Sequence, residues 1–157
     1  MSFLEVLQVH EYLDELLLQH QEALLQFDLE RATERLRLSE LQLHMQIEEE
    51  CLLPVYARAR KIPGVPPEFF TGEHQQMREF LTRIAATLAE MQRNNANLPR
   101  RVLALLDEEA PYKSLCQHHD QRERNLFFPT LDRVTDETER RALISRCLTA
   151  PALTTDN

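Results

Sequence analysis

The chain has 157 residues, of which 43% are hydrophobic, and a formal net charge of -8 at neutral pH. A chain of this length can bury the core of one domain without help from disulfides. The negative charge and the lack of a basic block argue against a nucleic-acid or anionic-membrane partner, because both bind clustered Lys and Arg. Leu, Glu, Gln, Arg and Ala are frequent and favour helix. We therefore expect one all-α domain over residues 1–157.

The chain shows no sign of export or of membrane insertion. Its first fifteen residues, MSFLEVLQVHEYLDE, have no cationic segment followed by an apolar one, and no apolar run approaches the ~18 residues of a spanning helix. Its cysteines, Cys51, Cys116 and Cys147, are odd in number and have no CxxC spacing, so a disulfide framework is not expected. These features predict a cytoplasmic protein with no membrane partner.

The first half of the chain predicts two helices joined by a short turn. Apolar residues recur every three or four positions from Phe3 to Gln26, and His10 and His20 share their stripe. Asp28 then offers an N-cap for a second helix that runs toward Pro54. The apolar residues of the first stripe are Leu13, Leu17, Leu24 and Phe27.

The second half repeats this organisation after a proline-rich crossover. Residues 61–67, KIPGVPP, contain three prolines and a glycine and cannot continue a helix. A third helix is predicted from about Glu68 to the turn at residues 94–99, and a fourth from about Arg100 toward Pro129. The result is an up-down four-helix bundle made of two hairpins.

The tail over residues 135–157 predicts a short fifth helix, ending near Leu148, that caps the bundle. Leu143, Ile144 and Cys147 fall on one face of it.

Two segments of the chain have the same spacing of polar, apolar and proline residues. The segment HMQIEEECLLP from His44 matches HDQRERNLFFP from His119, each with His, a Glu four residues later, two apolar residues and Pro. The segment HEYLDELL from His10 likewise matches HQQMREFL from His74. The repeated unit is therefore a helical hairpin with one His on its first helix and HxxxE on its second.

Counting from each turn places the histidines of a hairpin at the same height, because every helix rises ~1.5 Å per residue. His10 lies 17 residues before Phe27, and His44 lies 17 after it. His74 and His119 both lie about 22 residues from the middle of the turn between the third and fourth helices. The four histidines can thus reach one level.

A carboxylate follows the second histidine of each hairpin. Glu48 and Glu123 lie four residues after His44 and His119, so each is one turn away on the same helix face. Together with the histidines they form a constellation of four imidazoles and two carboxylates with pseudo-twofold symmetry.

The chain resembles the hemerythrin-like HHE cation-binding family from His10 to about Leu131, and the two HxxxE-x5-P segments are the specific part of that likeness. The resemblance implies a centre of two Fe ions, bridged by the two carboxylates. The residues it assigns to the metals are His10, His44, His74 and His119 as terminal ligands and Glu48 and Glu123 as bridges.

One departure concerns the animal oxygen carriers of this family, in which the third helix carries HxxxH and the fourth HxxxxD. Here the third helix has His74 followed by Arg78, and the fourth has His119 followed by Glu123. The more symmetric ligand set moves the likeness toward the branches that sense iron or repair iron-sulfur clusters.

Imidazole and carboxylate donors together favour iron or manganese over calcium and magnesium, which prefer oxygen, and over structural zinc, which is rich in thiolate. Together with the family resemblance, this leads us to expect two Fe ions with an oxo or hydroxo bridge, in preference to Mn or Zn. An open position on iron would bind or react with O2, peroxide or NO, in stress response, oxygen or iron sensing, or iron supply to clusters. The expected partners are this small ligand and a second copy of the chain in a homodimer.

Two interpretations of a different class compete with this one. The chain could be a metal-independent helical interaction module that uses its acidic surface. A ferritin-like oxidase would need Glu-x-x-His pairs, and none of the six histidines has Glu three residues before it. Iron content of the purified protein separates the first alternative from the di-iron interpretation.

Several polar residues near the motifs have alternative roles. His20 aligns with Ile84 of the other half, which favours a buried polar contact with Glu34 or Arg37 over metal ligation. His118 is turned about 100° from His119 and is expected to face a neighbour or solvent.

Two glutamates and two cysteines flank the motifs. Glu49 and Glu50 are expected to be exposed to solvent, or to orient a metal-binding imidazole through a hydrogen bond. Cys51 and Cys116 are expected to be small apolar residues that line the site.

Overall fold

The computed structural model describes residues 1–59 and 65–149, and all regular structure in these ranges is helical, as expected. A 3-10 turn at Phe3–Val6 precedes the first α-helix. The α-helices are α1 (Leu7–Leu25), α2 (Leu29–Leu36), α3 (Leu38–Ile47), α4 (Leu53–Tyr56), α5 (Pro67–Arg93), α6 (Leu98–Arg122), α7 (Phe128–Val134) and α8 (Glu137–Leu148). Within the described ranges, no helix is both long and apolar enough to span a membrane.

Tight turns join α1 to α2 and α5 to α6. Phe27 adopts a left-handed conformation with φ of 60°, and the Asp28 N–H donates to the Ala23 carbonyl at 2.9 Å, which closes the end of α1. The Asp28 side chain then accepts from the Arg31 N–H at 3.1 Å and caps α2, as predicted. Asn97, with φ of 55°, makes the corresponding reversal before α6.

The second predicted helix is broken, and the prediction of one continuous helix is wrong. Arg37 is left-handed, with φ of 47°, and separates α2 from α3. A left-handed residue cannot carry the regular hydrogen bonds of a helix, so the chain restarts its helix at Leu38.

Two π-helical turns interrupt the helices that carry the HxxxE motifs. We call them π1 (Glu48–Leu52) and π2 (Glu123–Phe127). Each ends two residues before a proline, Pro54 or Pro129, whose ring cannot donate a backbone hydrogen bond and would clash with the carbonyl four residues earlier. Widening the preceding turn relieves this conflict. The motif glutamates are the first residues of both turns.

The helices continue past these prolines, so the predicted ends were too early. The second helix extends through α4 to Tyr56, and the fourth extends through α7 to Val134. Residues 61–64 of the predicted crossover at 61–67 lie outside the described residues. Its last residue, Pro67, begins α5.

The C-terminal helix is present as predicted, over Glu137–Leu148, with Ile144 and Cys147 buried. It packs against the 3-10 turn, α3 and π1. The part of the tail after Thr149 lies outside the described residues.

Helix pairing makes a bundle in which α1 packs on α2 and α6, and α5 packs on α6, α2 and α3. Two apolar clusters fill it. One, at the end covered by α8, contains aromatic residues such as Tyr56, Phe70 and Phe127. The other, toward the α1–α2 turn, contains aliphatic residues such as Leu24 and Leu81. The motif histidines and glutamates occupy the polar layer between the two clusters.

The cap of α2 can be tested by substitution. We expect Asp28→Ala to lower the free energy of unfolding by about 1 kcal/mol, because the Arg31 N–H loses its acceptor. Asp28→Asn keeps an acceptor oxygen and is the control. Urea unfolding of both variants at equal metal content makes the comparison. Equal losses of stability in the two variants would contradict a capping role.

Candidate metal centre

The structure brings the six motif side chains into one buried cluster. Glu48 and Glu123 are 2% and 0% exposed, because each begins a π turn that the aromatic cluster covers. His74 and His119 are buried as well, whereas His10 and His44 are partly exposed. The imidazoles form two pairs: the rings of His10 and His44 meet edge to face with centroids 5.1 Å apart, and those of His74 and His119 are tilted with centroids 4.8 Å apart.

Glu48 lies between the two histidine pairs and presents one oxygen to each. Its Oε1 lies 2.8 Å from His44 Nε2 and 3.6 Å from His10 Nε2. Its Oε2 lies 3.0 Å from His74 Nε2 and 3.9 Å from His119 Nε2.

Glu123 makes the same division from the opposite hairpin. Its Oε2 lies 3.0 Å from His10 Nε2, and its Oε1 lies 2.7 Å from His119 Nε2. Both carboxylates therefore reach from one pair of imidazoles to the other.

Among the described residues, two overlapping groups of side chains have a spacing that could hold a metal ion. Within each group, the candidate ligand atoms lie within 4.8 Å of one another. One group is Glu48, His74, His119 and Glu123, and the other is His10, His44 and Glu48. Glu48 belongs to both groups, which therefore lie next to each other.

Three carboxylate oxygens of the cluster have no hydrogen-bond donor in the described residues. Glu48 Oε1 and both oxygens of Glu123 are buried and accept no hydrogen bond of normal geometry. These oxygens lie close to imidazole nitrogens, but the geometry is not that of a hydrogen bond. Such an arrangement is expected when the oxygen and nitrogen lone pairs point toward a shared ion between the two atoms. Buried oxygens without a donor are costly. A metal ion at that point would satisfy them, so the residues present fit a metal.

Three further carboxylates contact the Nδ1 atoms of three of the histidines, on the side of each ring away from the cluster. Asp120 contacts His10 Nδ1, Glu49 Oε1 lies 3.0 Å from His74 Nδ1, and Glu73 Oε1 lies 3.1 Å from His119 Nδ1. A carboxylate on Nδ1 fixes the ring and directs the Nε2 lone pair toward a metal. No such carboxylate is found at His44 among the described residues.

Arginines hold two of these outer carboxylates in turn. Arg78 donates to both oxygens of Glu49, at 2.9 Å each. Arg122 donates to both oxygens of Glu73, at 3.1 and 2.6 Å. These two arginines are therefore paired with the outer carboxylates, and the ion-pair partners of the inner carboxylates Glu48 and Glu123 within the described part of the chain are histidines.

The comparison with protein families agrees with this geometry. The model of the hemerythrin HHE cation-binding domain matches residues 4–131. The chain belongs to the hemerythrin HHE cation-binding family. No curated protein and no solved structure matches the chain. Family membership and the buried His/Glu cluster of this HHE domain together indicate a metal-binding site.

The carboxylates and imidazoles of the HHE site shift one another's pKa values. Burial alone would lower the pKa of His10, but the Glu123 carboxylate and the Asp120 contact outweigh it and raise that pKa well above its usual value. Burial would raise the pKa of Glu48, yet the His44 charge and the other imidazoles hold it well below its usual range. A metal ion competes with protons for the same nitrogens, so its binding releases protons.

A cavity of about 80 Å³ lies beside the histidines of the HHE site. All four motif histidines line it, together with apolar side chains that include Leu13, Leu17 and Leu41. These leucines lie between the histidines and the α1–α2 turn, whereas Glu48 and Glu123 lie beyond the histidines in the opposite direction. The cavity and the carboxylates thus occupy opposite sides of the histidine layer.

The remaining sequence candidates are placed as follows. His20 is fully buried, but its Nε2 lies 2.6 Å from Glu109 and its Nδ1 lies 2.7 Å from the Ala32 carbonyl. The predicted partners Glu34 and Arg37 are wrong, because Glu109 reaches His20 from α6.

The other flanking residues agree more closely with the sequence. His118 is exposed, and Cys116 lines the cavity. Glu49 orients His74, whereas Glu50 accepts from Gln46 at the surface. Cys51 lies near Arg146 of α8, whose Nε is 3.2 Å from its sulfur.

Sequence reasoning missed Asp120, Glu73, Arg78 and Arg122. A signal existed, because three outer carboxylates are sequence neighbours of motif residues: Glu49 follows Glu48, Glu73 precedes His74, and Asp120 follows His119. Neighbouring positions on a helix point about 100° apart. Each outer carboxylate therefore faces a histidine of another helix.

The two histidines of α1 can be separated by mutation. We expect His10→Ala to weaken metal binding ~10-fold or more, because its Nε2 faces Glu123 within the cluster. His20→Ala should instead destabilise the fold by about 3 kcal/mol, because Glu109 would stay buried without its partner. Chelator competition and urea unfolding measure the two effects. Loss of metal from His20→Ala with retention by His10→Ala would contradict the assignment.

Proposed function

We propose that this HHE domain is an up-down four-helix bundle over residues 1–157 that holds two iron ions. The terminal ligands would be His10 and His44 for one iron and His74 and His119 for the other, with Glu48 and Glu123 bridging. The observation that supports this most strongly is the division of both carboxylates, each with one oxygen toward either histidine pair. A terminal carboxylate would have both oxygens on one pair.

Charge balance supports two metal ions over a metal-independent module. Without a metal, the protonated imidazoles alone would have to neutralise the two buried carboxylates, because the arginines near the site are paired with other carboxylates. A helical interaction module has no reason to bury Glu48 and Glu123 in this way.

Imidazole and carboxylate donors suit iron in preference to Mn or Zn. Bound iron would supply an open coordination position and electron transfer to a small oxidant or to NO. The residues around the site orient the iron ligands. Asp120, Glu49 and Glu73 fix the imidazole rings and so keep the positions ready before a ligand arrives.

The cavity supports a small ligand. A single water needs roughly 10–15 Å³ of such space, so a cavity of about 80 Å³ has room for a diatomic molecule or peroxide beside the histidines. Apolar walls favour a ligand without net charge. We therefore propose O2, hydrogen peroxide or NO as the ligand. Stress response, sensing of oxygen or iron, and iron supply to clusters are the roles that suit this chemistry.

The compartment and assembly are also proposals. Cys51, Cys116 and Cys147 are free thiols, which supports a reducing cytoplasm. We also propose that two copies of the chain form a homodimer, as predicted from the sequence.

Iron analysis of a bridging-ligand variant tests the central proposal. We expect about two irons per chain in the unmodified protein, and a loss of more than one from Glu48→Ala, because a shared carboxylate supports both ions. Glu50→Ala, which removes a surface carboxylate two residues away, is the control and should keep both irons. The contrary results are zinc alone, no metal after iron-replete growth, or loss of a single iron from Glu48→Ala.

The cavity can be closed without touching a ligand. We expect Leu17→Phe to weaken NO binding to the ferrous protein ~10-fold or more, because the larger ring occupies the space beside the histidines. Leu18→Phe adds the same group at a position 48% exposed and is the control. Iron content and NO titration are measured for both. Unchanged NO affinity in Leu17→Phe at full iron content would argue against this cavity as the ligand site.

A further inference from the structure

Two cysteines border the same apolar cluster where α8 packs on π1, at the covered end of the bundle. Cys51 lies within π1, and the Nε of Arg146 donates to its sulfur at 3.2 Å. Cys147, the next residue after Arg146, is 3% exposed. It belongs to the apolar cluster against which Cys51 also packs. The two thiols thus lie at one packing surface, at which Cys51 and Arg146 are 95 residues apart in sequence.

The surroundings of the two thiols differ. Cys51 is partly exposed, and a guanidinium beside it stabilises negative charge on its sulfur as it reacts. Burial raises the pKa of the Cys147 thiol to about 12, and the Glu48 carboxylate and the Cys51 sulfur add to that rise. An oxidant from solvent therefore reaches Cys51 before it reaches the buried Cys147.

We propose that Cys51 and Cys147 form an oxidisable thiol pair that closes to an intramolecular disulfide between π1 and α8. The oxidant is a hydroperoxide. The Cys51 sulfur attacks a peroxide oxygen, the O–O bond breaks, and Cys51 becomes a sulfenic acid while hydrogen peroxide leaves one oxygen as water. The Cys147 sulfur then displaces that hydroxyl as a second water, which takes the Cys147 proton. Two thiols are oxidised and one peroxide is reduced.

The bond would join α8 to the turn that carries a motif glutamate. Glu48 begins π1, three residues before Cys51, and α8 contacts this turn by packing and through the Arg146–Cys51 hydrogen bond. Arg146 has an exposed side chain and can swing away as the sulfurs approach. Neither cysteine belongs to the two histidine–glutamate groups, so the pair oxidises with or without a bound metal.

Peptide mapping after peroxide treatment tests the pair. The full chain is treated with hydrogen peroxide in the presence of a chelator, which suppresses metal-driven side reactions, and is then digested without reductant. We expect a Cys51–Cys147 cross-linked peptide, the loss of two hydrogen atoms per chain, and a melting temperature higher by about 5 °C or more. Cys116→Ser is the matched control and should give the same product.

Variants check the order of the two steps. Cys147→Ser should accumulate a Cys51 sulfenic acid, trapped with dimedone, and Cys51→Ser should leave Cys147 unmodified. Arg146→Ala should slow formation of the disulfide ~3-fold or more. A sulfenic acid on Cys51 of the unmodified chain that never proceeds to the disulfide would overturn the proposal. So would a cross-link from Cys51 to Cys116 or to a second chain.

Discussion

Two buried carboxylates, Glu48 and Glu123, impose the constraint on which the rest of this structure depends. Each is almost fully removed from water and has histidines as its only neighbours of potentially positive charge. A buried carboxylate without countercharge or donor is unfavourable by several kcal/mol. Their negative charge has to be neutralised inside the bundle. The four imidazoles lie at one height around these carboxylates, and the outer carboxylates orient three of the imidazole rings.

The backbone contributes to the same end through its π turns. Each turn begins at a motif glutamate and is forced by the proline six residues later, which leaves no regular helical path. The proline of the HxxxE-x5-P motif thus has a structural reason. It shapes the turn from which the carboxylate reaches across the bundle.

The duplication of the chain covers the inner residues of the site but not its outer ones. Glu49 corresponds to Arg124 in the other half, and Asp120 corresponds to Met45. Glu73, which contacts His119, corresponds to Val9, so His44 lacks the carboxylate that each of the other three histidines has among the described residues. The two histidine pairs therefore have similar inner geometry and different surroundings, and we expect two metal ions bound there to differ in affinity.

Much of the fold and of the inner site could be predicted from spacing alone. Helical periodicity, the Asp28 cap and the repeated HxxxE segments are local signals, and equal distances from a turn place His10 beside His44. The outer contacts could not be predicted in the same way, because Arg122 with Glu73 and His20 with Glu109 join different helices. Such pairs depend on how the helices rotate about their axes.

The break at Arg37 also escaped prediction, since nothing in its local sequence resembles a usual helix end. Neither glycine nor proline marks it, and the left-handed residue is an arginine. Packing of α2 and α3 on the neighbouring helices overrides local preference there.

The central claim is that two metal ions lie between the histidine pairs and are bridged by Glu48 and Glu123. Anomalous scattering from crystals of the iron-loaded protein, collected on both sides of the iron absorption edge, tests it most directly. The account predicts two iron peaks, one beside His10 and His44 and one beside His74 and His119. A single peak, or a peak beside His20, would contradict it.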